Sequence, residues 1–199
     1  MSLRARLGWL AALFLVQFLY FPINRLLLGG VVLYTALDPL IPVWPIWAIP
    51  YLLGWFWWVG CFFWAAFRMD GFLYRALIAG ALFTLLTSYI FYIIYPTYVF
   101  RPELVGNGWQ FDMLRSIYAN DHVYNAFPSG HAYTSALIFL FWWRWKPGLR
   151  LLWGLIAGVV ILSTLFTGQH HLLDPLGGIL WAWLGYHFGL EWAGRTVEG

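Results

Sequence analysis

Apolar runs of about twenty residues, separated by short breaks rich in Arg, Pro, Gly and Asp, set the pattern of this chain. A helix of that length spans a hydrocarbon layer, and six segments approach it, at about 7–28, 46–67, 73–95, 128–145, 151–168 and 172–190. The expected fold is therefore an all-α integral membrane protein, a bundle of six transmembrane helices forming a single domain over residues 1–199. There is no internal repeat, no low-complexity tract and no linker that would divide it. The first run reaches Leu28 with only Gln17, Asn24 and Arg25 as polar interruptions. It lacks a small-x-small cleavage site and further spans follow it, so it reads as a first transmembrane helix and not as a secretory signal. Pro39, Pro42 and Pro45 prevent a regular helix before about Trp44 and predict a loop at the membrane interface. The longest break, Pro96 to Phe127, contains Phe111, Leu114 and Tyr118 at helical spacing with Asp112 and Arg115 turned away, which predicts an interfacial amphipathic helix.

Composition supports the membrane reading: 62% of residues are hydrophobic and 10% charged, against about 25% charged in soluble domains. The net charge of +3 is carried by scattered basic residues, which fit topology signals and not nucleic-acid binding. Arg4, Arg6, Arg68, Arg75, Arg144, Lys146, Arg150 and Arg195 fall on one side of the six spans, and Arg25, Arg101 and Arg115 on the other. Positive-inside counting then puts both termini in the cytoplasm and the breaks before spans two, four and six on the outer face. Cys61, alone in an apolar run, is a small core residue. The tryptophans at 44, 47, 55, 57, 58, 64, 142, 143 and 145 suit interface belts and lipid-facing packing.

Chemistry concentrates in two polar stretches. In Asn125-Ala126-Phe127-Pro128-Ser129-Gly130-His131, Pro128 and Ser129 mark a helix start. Gly130 opens the backbone to a ligand, and free N–H groups at a helix N-terminus attract phosphate. His131 follows, able to exchange a proton near neutral pH. In the second stretch His170 and Asp174 are four apart, which sets a carboxylate beside an imidazole on any helical turn. Such a pairing fixes the tautomer and leaves the other ring nitrogen as a nucleophile. Asp174-Pro175 also has the form of a helix cap followed by proline, so capping stands as the alternative role for Asp174. Counting 1.5 Å per residue from Arg144 puts His131 roughly 20 Å above the inner edge of the membrane, and from Glu191 puts Asp174 at roughly 26 Å. Both histidines then reach one outward-opening cavity, a depth at which ionisable groups mark function. His171 is expected to turn away from Asp174 as an interfacial residue, Asp121 and His122 are loop residues with no evident partner, and His187 hydrogen-bonds among the helices.

Arg101-Pro102, then Pro128-Ser129-Gly130-His131, then Ser163 with the His170-x-x-x-Asp174 spacing resemble the three ordered signature motifs of the type 2 phosphatidic acid phosphatase superfamily, membrane relatives of the vanadium haloperoxidases. The resemblance implies that His170 attacks phosphorus, Asp174 orients it and His131 protonates the leaving oxygen. Arg101, Ser129 and Gly130 would hold the phosphoryl oxygens, with Ser163 in the third motif and Arg115 as a further source of positive charge. No metal and no cofactor is required: an in-line transfer needs a positioned nucleophile, an acid and charge on the equatorial oxygens. The implied activity is hydrolysis of a phosphomonoester or pyrophosphate lipid through a phosphohistidine, on the extracytoplasmic side. An alcohol acceptor in place of water would make a lipid headgroup phosphotransferase. Two positions depart from the motifs: Ile94 stands where the superfamily has a lysine and Thr164 where it has an arginine. These losses, with the Leu37-Asp38 to Pro42 segment, resemble the branch containing inositol-phosphotransferase and inositol phosphorylceramide synthase enzymes. Two other classes compete: a haem protein using histidines as axial ligands, which leaves the motif spacings unexplained, and a non-catalytic scaffold or transporter, which the missing cations keep open.

Overall fold

Eight α-helices follow one another in the computed structural model, which describes residues 1–26 and 29–195. They are α1 (Leu3–Phe18), α2 (Tyr20–Leu26), α3 (Ala48–Arg68), α4 (Gly71–Ile94), α5 (Trp109–Asn120), α6 (Gly130–Trp145), α7 (Arg150–Phe166) and α8 (Leu173–Arg195). Among the described residues there is no strand, only isolated bridges between Val31 and Thr97 and between Tyr98 and Tyr124. Each of the six apolar segments expected from the sequence contains a helix. The stretches Leu3–Leu26, Pro45–Arg68, Gly71–Ile94 and Pro147–Phe166 are long and apolar enough to cross a membrane. The other two differ from them for visible reasons. α6 has 16 residues, roughly 24 Å of helix. α8 has 23 but interrupts its apolar run with Asp174, His187, Glu191 and Arg195.

The first apolar segment is broken where one helix was expected. α1 ends at Phe18 and α2 begins at Tyr20, because Pro22 cannot donate a hydrogen bond to the Phe18 carbonyl and its ring would crowd that oxygen. Leu28, the expected end of this segment, lies outside the described residues. α5 forms as the amphipathic pattern predicts. Leu114 and Ile117 pack with Ala48 and Tyr51 at the start of α3, while Asp112 and Arg115 pair on its other face at 3.0 Å.

α8 packs most extensively on α4 and α6. Its face toward α4 is cut down to glycine. A Cβ at Gly185 would strike Thr84 Oγ1 and one at Gly189 the carbonyl of Ala76, and on α4 a Cβ at Gly80 would lie 2.5 Å from the Gly185 carbonyl. Between helices in a lipid environment little is gained from hiding apolar side chains against one another, and close backbone approach between small residues is what holds such pairs together. The outer faces keep many large apolar residues exposed, Phe56, Ile94 and Leu151 among them.

Gly185→Ala is expected to destabilise the protein by about 1–3 kcal/mol, the usual cost of overpacking, read as a lower unfolding midpoint in detergent. Gly60→Ala, where nothing lies within 4 Å of the added Cβ, is the control and leaves the midpoint unchanged or slightly higher.

Candidate active site

The turn between α7 and α8 presents the expected nucleophile. The Thr164 carbonyl at the end of α7 accepts from both Gln169 N–H and His170 N–H at 3.1 Å. Gly168 takes a φ of +65°, the left-handed conformation that ends helices and that glycine adopts without strain. A side chain there would also meet the Tyr118 hydroxyl at 2.8 Å. This turn swings His170 over the first turn of α8, where its Nδ1 lies 3.3 Å from Asp174 Oδ2. The same carboxylate oxygen accepts His171 N–H at 2.9 Å. Asp174 is 1% exposed, and its carboxylate bonds back to residues preceding it, not forward as a helix cap does.

The second polar stretch is tied to the first by the backbone. Ser129 N–H donates to the Asp174 carbonyl at 3.0 Å, and a Cβ at Gly178 would lie 2.7 Å from the Ser129 carbonyl, so the start of α6 rests against the first turns of α8. Ser129 is the N-cap of α6, its hydroxyl accepting from Ala132 N–H at 3.4 Å. The N–H groups of Gly130 and His131 in the first turn have no acceptor within the helix. Tyr92 fixes the approach by donating its hydroxyl to the Pro128 carbonyl at 2.5 Å. His131 is held in an aromatic cage: the Tyr51 ring stacks on it at 3.9 Å between centroids, and Trp58 and Trp55 meet it edge-on at 4.8 and 5.9 Å. Its Nε2 is buried with no hydrogen-bond partner.

His170 borders two cavities of different character. One, about 380 Å³, also holds His131, Gly130 and Asn125 and runs between aromatic and apolar side chains of α1, α2 and α3. The other, about 540 Å³, is lined by Asp38, Arg101, Glu103 and His171 with the proline-rich loop. The structure thus brings together His131, His170, Asp174, Ser129 and Gly130. Arg101 borders the second cavity, but its terminal nitrogens are already engaged. Nη1 donates to the carbonyls of Tyr118 (3.1 Å) and Asp121 (2.7 Å), and Nη2 to the His122 carbonyl (3.1 Å) and to Gln169 Oε1. Only Nε, buried and unpaired, is left. Arg115 lines neither cavity; it holds the Leu104 and Gly106 carbonyls and Asp112. Ser163 is fully buried and donates to the Val160 carbonyl within its own helix. Among the described residues, no three His, Cys, Asp or Glu side chains converge into a metal-binding group.

Several residues gain roles that spacing did not reveal. Asp121 accepts the hydroxyls of Tyr20 (2.9 Å) and Tyr51 (3.2 Å), joining α2, α3 and α5 above His131. Asp38 accepts Leu172 N–H at 2.7 Å and the Thr35 N–H and hydroxyl, so the proline-rich loop grips the His170 turn. His171 is drawn inward, edge-on to Tyr34 at 4.9 Å. Asn125 was in view at a helix start but carried no periodic or charge signal; its φ of 60° is a trait that asparagine tolerates better than most residues.

The model of one protein family, the PAP2 superfamily, matches residues 44–188. The chain belongs to the PAP2 superfamily. The match runs from the end of the proline-rich loop into α8 and contains every residue of the two tied stretches. Membership in the PAP2 superfamily supports phosphatase-type chemistry in general, the release of phosphate from an ester. Curated proteins and solved structures give no match.

Burial holds His171 below the ordinary imidazole range, against the pull of the Asp174 and Asp38 carboxylates. Burial alone would raise Asp38, but hydrogen bonds from Thr35 and Leu172 outweigh it and hold that carboxyl below its usual range. As pH falls below about 6.5, the unfolded chain takes up a proton at position 171 before the folded one does, so stability drops. Below about 4 the protonation of Asp38 lowers it further, because that carboxyl is likewise held below its usual range in the folded chain. The unfolding midpoint is expected to fall between pH 7 and pH 5 less steeply in His171→Phe than in the wild type; identical slopes would mean that His171 titrates as it does in the unfolded chain.

Proposed function

We propose that this PAP2 superfamily member is a membrane-embedded, metal-independent lipid-phosphate phosphatase that works through a phosphohistidine at His170. The observation that carries this reading is the His170 Nδ1–Asp174 Oδ2 pair at 3.3 Å in a residue that shares a cavity with His131. With Nδ1–H donated to Asp174, the lone pair on Nε2 is the nucleophile. It attacks phosphorus while His131 delivers a proton to the departing oxygen, and in the second half-reaction His131 takes a proton from the incoming water. The free N–H groups of Gly130 and His131 provide hydrogen bonds to the phosphoryl oxygens.

In this proposal all six apolar segments cross the membrane, α6 and α8 with their polar residues turned into the bundle. Both termini lie in the cytoplasm, and the tied stretches open to the outer face. The apolar cavity running out between α1, α2 and α3 takes the lipid's chains, and the polar cavity takes the acceptor. That second cavity favours one alternative, transfer of the phosphoryl-bearing headgroup to an alcohol, since a site serving water alone has no use for a separate polar chamber of about 540 Å³.

Turnover in the presence of a chelator is expected to be unchanged. His170→Ala is expected to lose at least about a thousandfold in kcat, and His131→Ala and Asp174→Asn about 10²–10⁴-fold each. Labelled lipid phosphate should leave an acid-labile, base-stable label on the wild type and none on His170→Ala; an active His170→Ala enzyme ends the mechanism. For topology, in a Cys61→Ala background, Glu103→Cys is expected to react with an impermeant thiol reagent on intact cells and Gly148→Cys only after permeabilisation. The reverse labelling would invert the assigned orientation.

A further inference from the structure

Away from the two histidines, a groove of about 460 Å³ runs between α1, α4 and α8, a volume within the range of small-ligand sites. On α4 the residues that line it, Arg75, Ile78, Leu82 and Leu86 among them, recur at helical spacing and form one stripe roughly 16 Å long. Phe188 of α8 stacks on Phe83 at 4.5 Å and closes its floor. Trp9 and Trp192 flank it, each partly exposed. Trp192 follows closely on the Gly189 that meets Ala76, so it stands near the level of Arg75. Tyr92, which holds Pro128 at the site, lies farther along the same helix, roughly 25 Å from Arg75.

One side chain in this groove has an unmet polar demand. The hydroxyls in its walls are satisfied within the protein, Tyr74 donating to the Arg6 carbonyl and Thr87 to the Phe83 carbonyl, each at 2.7 Å. Arg75 makes no hydrogen bond or ion pair with any described residue, and its Nε is shielded from solvent. It is the one charged side chain among the described residues that line the groove. α1 and α4 carry no acid. On α8, Glu191 pairs with Arg195 at 3.8 Å, and Asp70, the N-cap of α4, accepts Leu73 N–H at 2.9 Å. A guanidinium nitrogen kept from water and left unpaired calls for an acceptor, and a phosphate suits the fork of an arginine. The apolar stripe that continues from Arg75 suits the chain of a lipid. A zwitterionic headgroup would bring an ammonium for which the groove has no carboxylate, whereas an anionic headgroup brings no such second charge.

We propose that this groove binds an anionic phospholipid of the surrounding bilayer as a ligand and not as a substrate, its phosphate on Arg75 and one acyl chain along the α4 stripe. This rests on the membrane embedding proposed above and is independent of the histidine mechanism. The chain lies against the α4–α8 pair, whose close contacts at Gly185 and Gly189 seat the helix that carries Asp174. A ligand that binds only the packed helices stabilises the folded chain by mass action. The lipid thus braces α8 from the end away from the reaction.

The test is native mass spectrometry of the full chain in a neutral detergent with dioleoyl phosphatidylglycerol or dioleoyl phosphatidylcholine, paired with the unfolding midpoint in the same detergent. Phosphatidylglycerol is expected to bind about tenfold or more tightly than phosphatidylcholine and to raise the midpoint. Arg75→Gln is expected to bring phosphatidylglycerol down to the phosphatidylcholine level, and Arg75→Lys to keep most of the preference. Ala79→Trp, which fills the groove, is expected to weaken both lipids and serves if Arg75→Gln does not fold. His170→Ala is expected to bind as the wild type does. Equal binding of the two lipids to the wild type, no binding of phosphatidylglycerol, or unchanged phosphatidylglycerol binding in Arg75→Gln or Ala79→Trp would overturn the proposal. A preference lost in His170→Ala and kept in Arg75→Gln would place the lipid at the catalytic cavities and overturn it too. Turnover by His170→Ala ends the histidine mechanism and leaves this site standing.

Discussion

One backbone hydrogen bond, from Ser129 N–H to the Asp174 carbonyl at 3.0 Å, joins the start of α6 to the start of α8, and the geometry of the centre depends on it. The two histidines lie 39 positions apart in sequence, on elements that have no local reason to meet. A tie through the main chain brings the two stretches together without using a side chain, which leaves the imidazoles and the Asn125 amide facing the cavity and the Asp174 carboxylate on His170 Nδ1. The tie in turn requires that α6 and α8 approach closely. Gly178 permits that approach at the site, and the Gly185 and Gly189 contacts with α4 seat α8 farther along. The small residues and the geometry of the site are therefore one constraint expressed at two levels of the bundle.

Around this tie the loops at the same end of the bundle form a collar. Asp38 holds the Leu172 N–H, Thr97 holds Phe127, and Arg101 gathers the end of α5 onto Gln169. Packing of Leu114 and Ile117 against the start of α3 sets α5 over His131. The hydrogen bonds among these contacts are long-range in sequence, and several fall on carbonyls that loops would otherwise leave unpaired, as buried backbone groups must be satisfied somewhere. Arg101 shows how the two demands compete: as a clamp on four oxygens it orders the collar, and in doing so it has little left for a ligand.

The helices were legible because long apolar runs carry a period and length that survive any detail of packing. The amphipathic pattern of α5 was readable for the same reason, and the His170–Asp174 pair because four residues on a helical turn meet whatever surrounds them. What escaped was set by tertiary contact. Pro22 announces a break but not that the chain resumes as α2. Asp121 looked like a loop residue, and only the packing of α2, α3 and α5 brings two tyrosine hydroxyls to it. His171 appeared to face away by helical geometry, but the residues preceding Leu173 form a turn and not a helix, so its N–H reaches Asp174. Arg101 was assigned by the motif it matches, and a motif cannot say how many of an arginine's donors are already taken.

The position of His170 between an apolar and a polar cavity has a further consequence under the proposed mechanism. The reacting bond sits where two immiscible solvents meet, so the fragments of the substrate separate by partitioning: the greasy one back into the bilayer, the polar one into water. Neither accumulates at the centre to compete with fresh substrate or to recombine. Directionality then comes from the phases on either side of one imidazole, with no moving part in the protein.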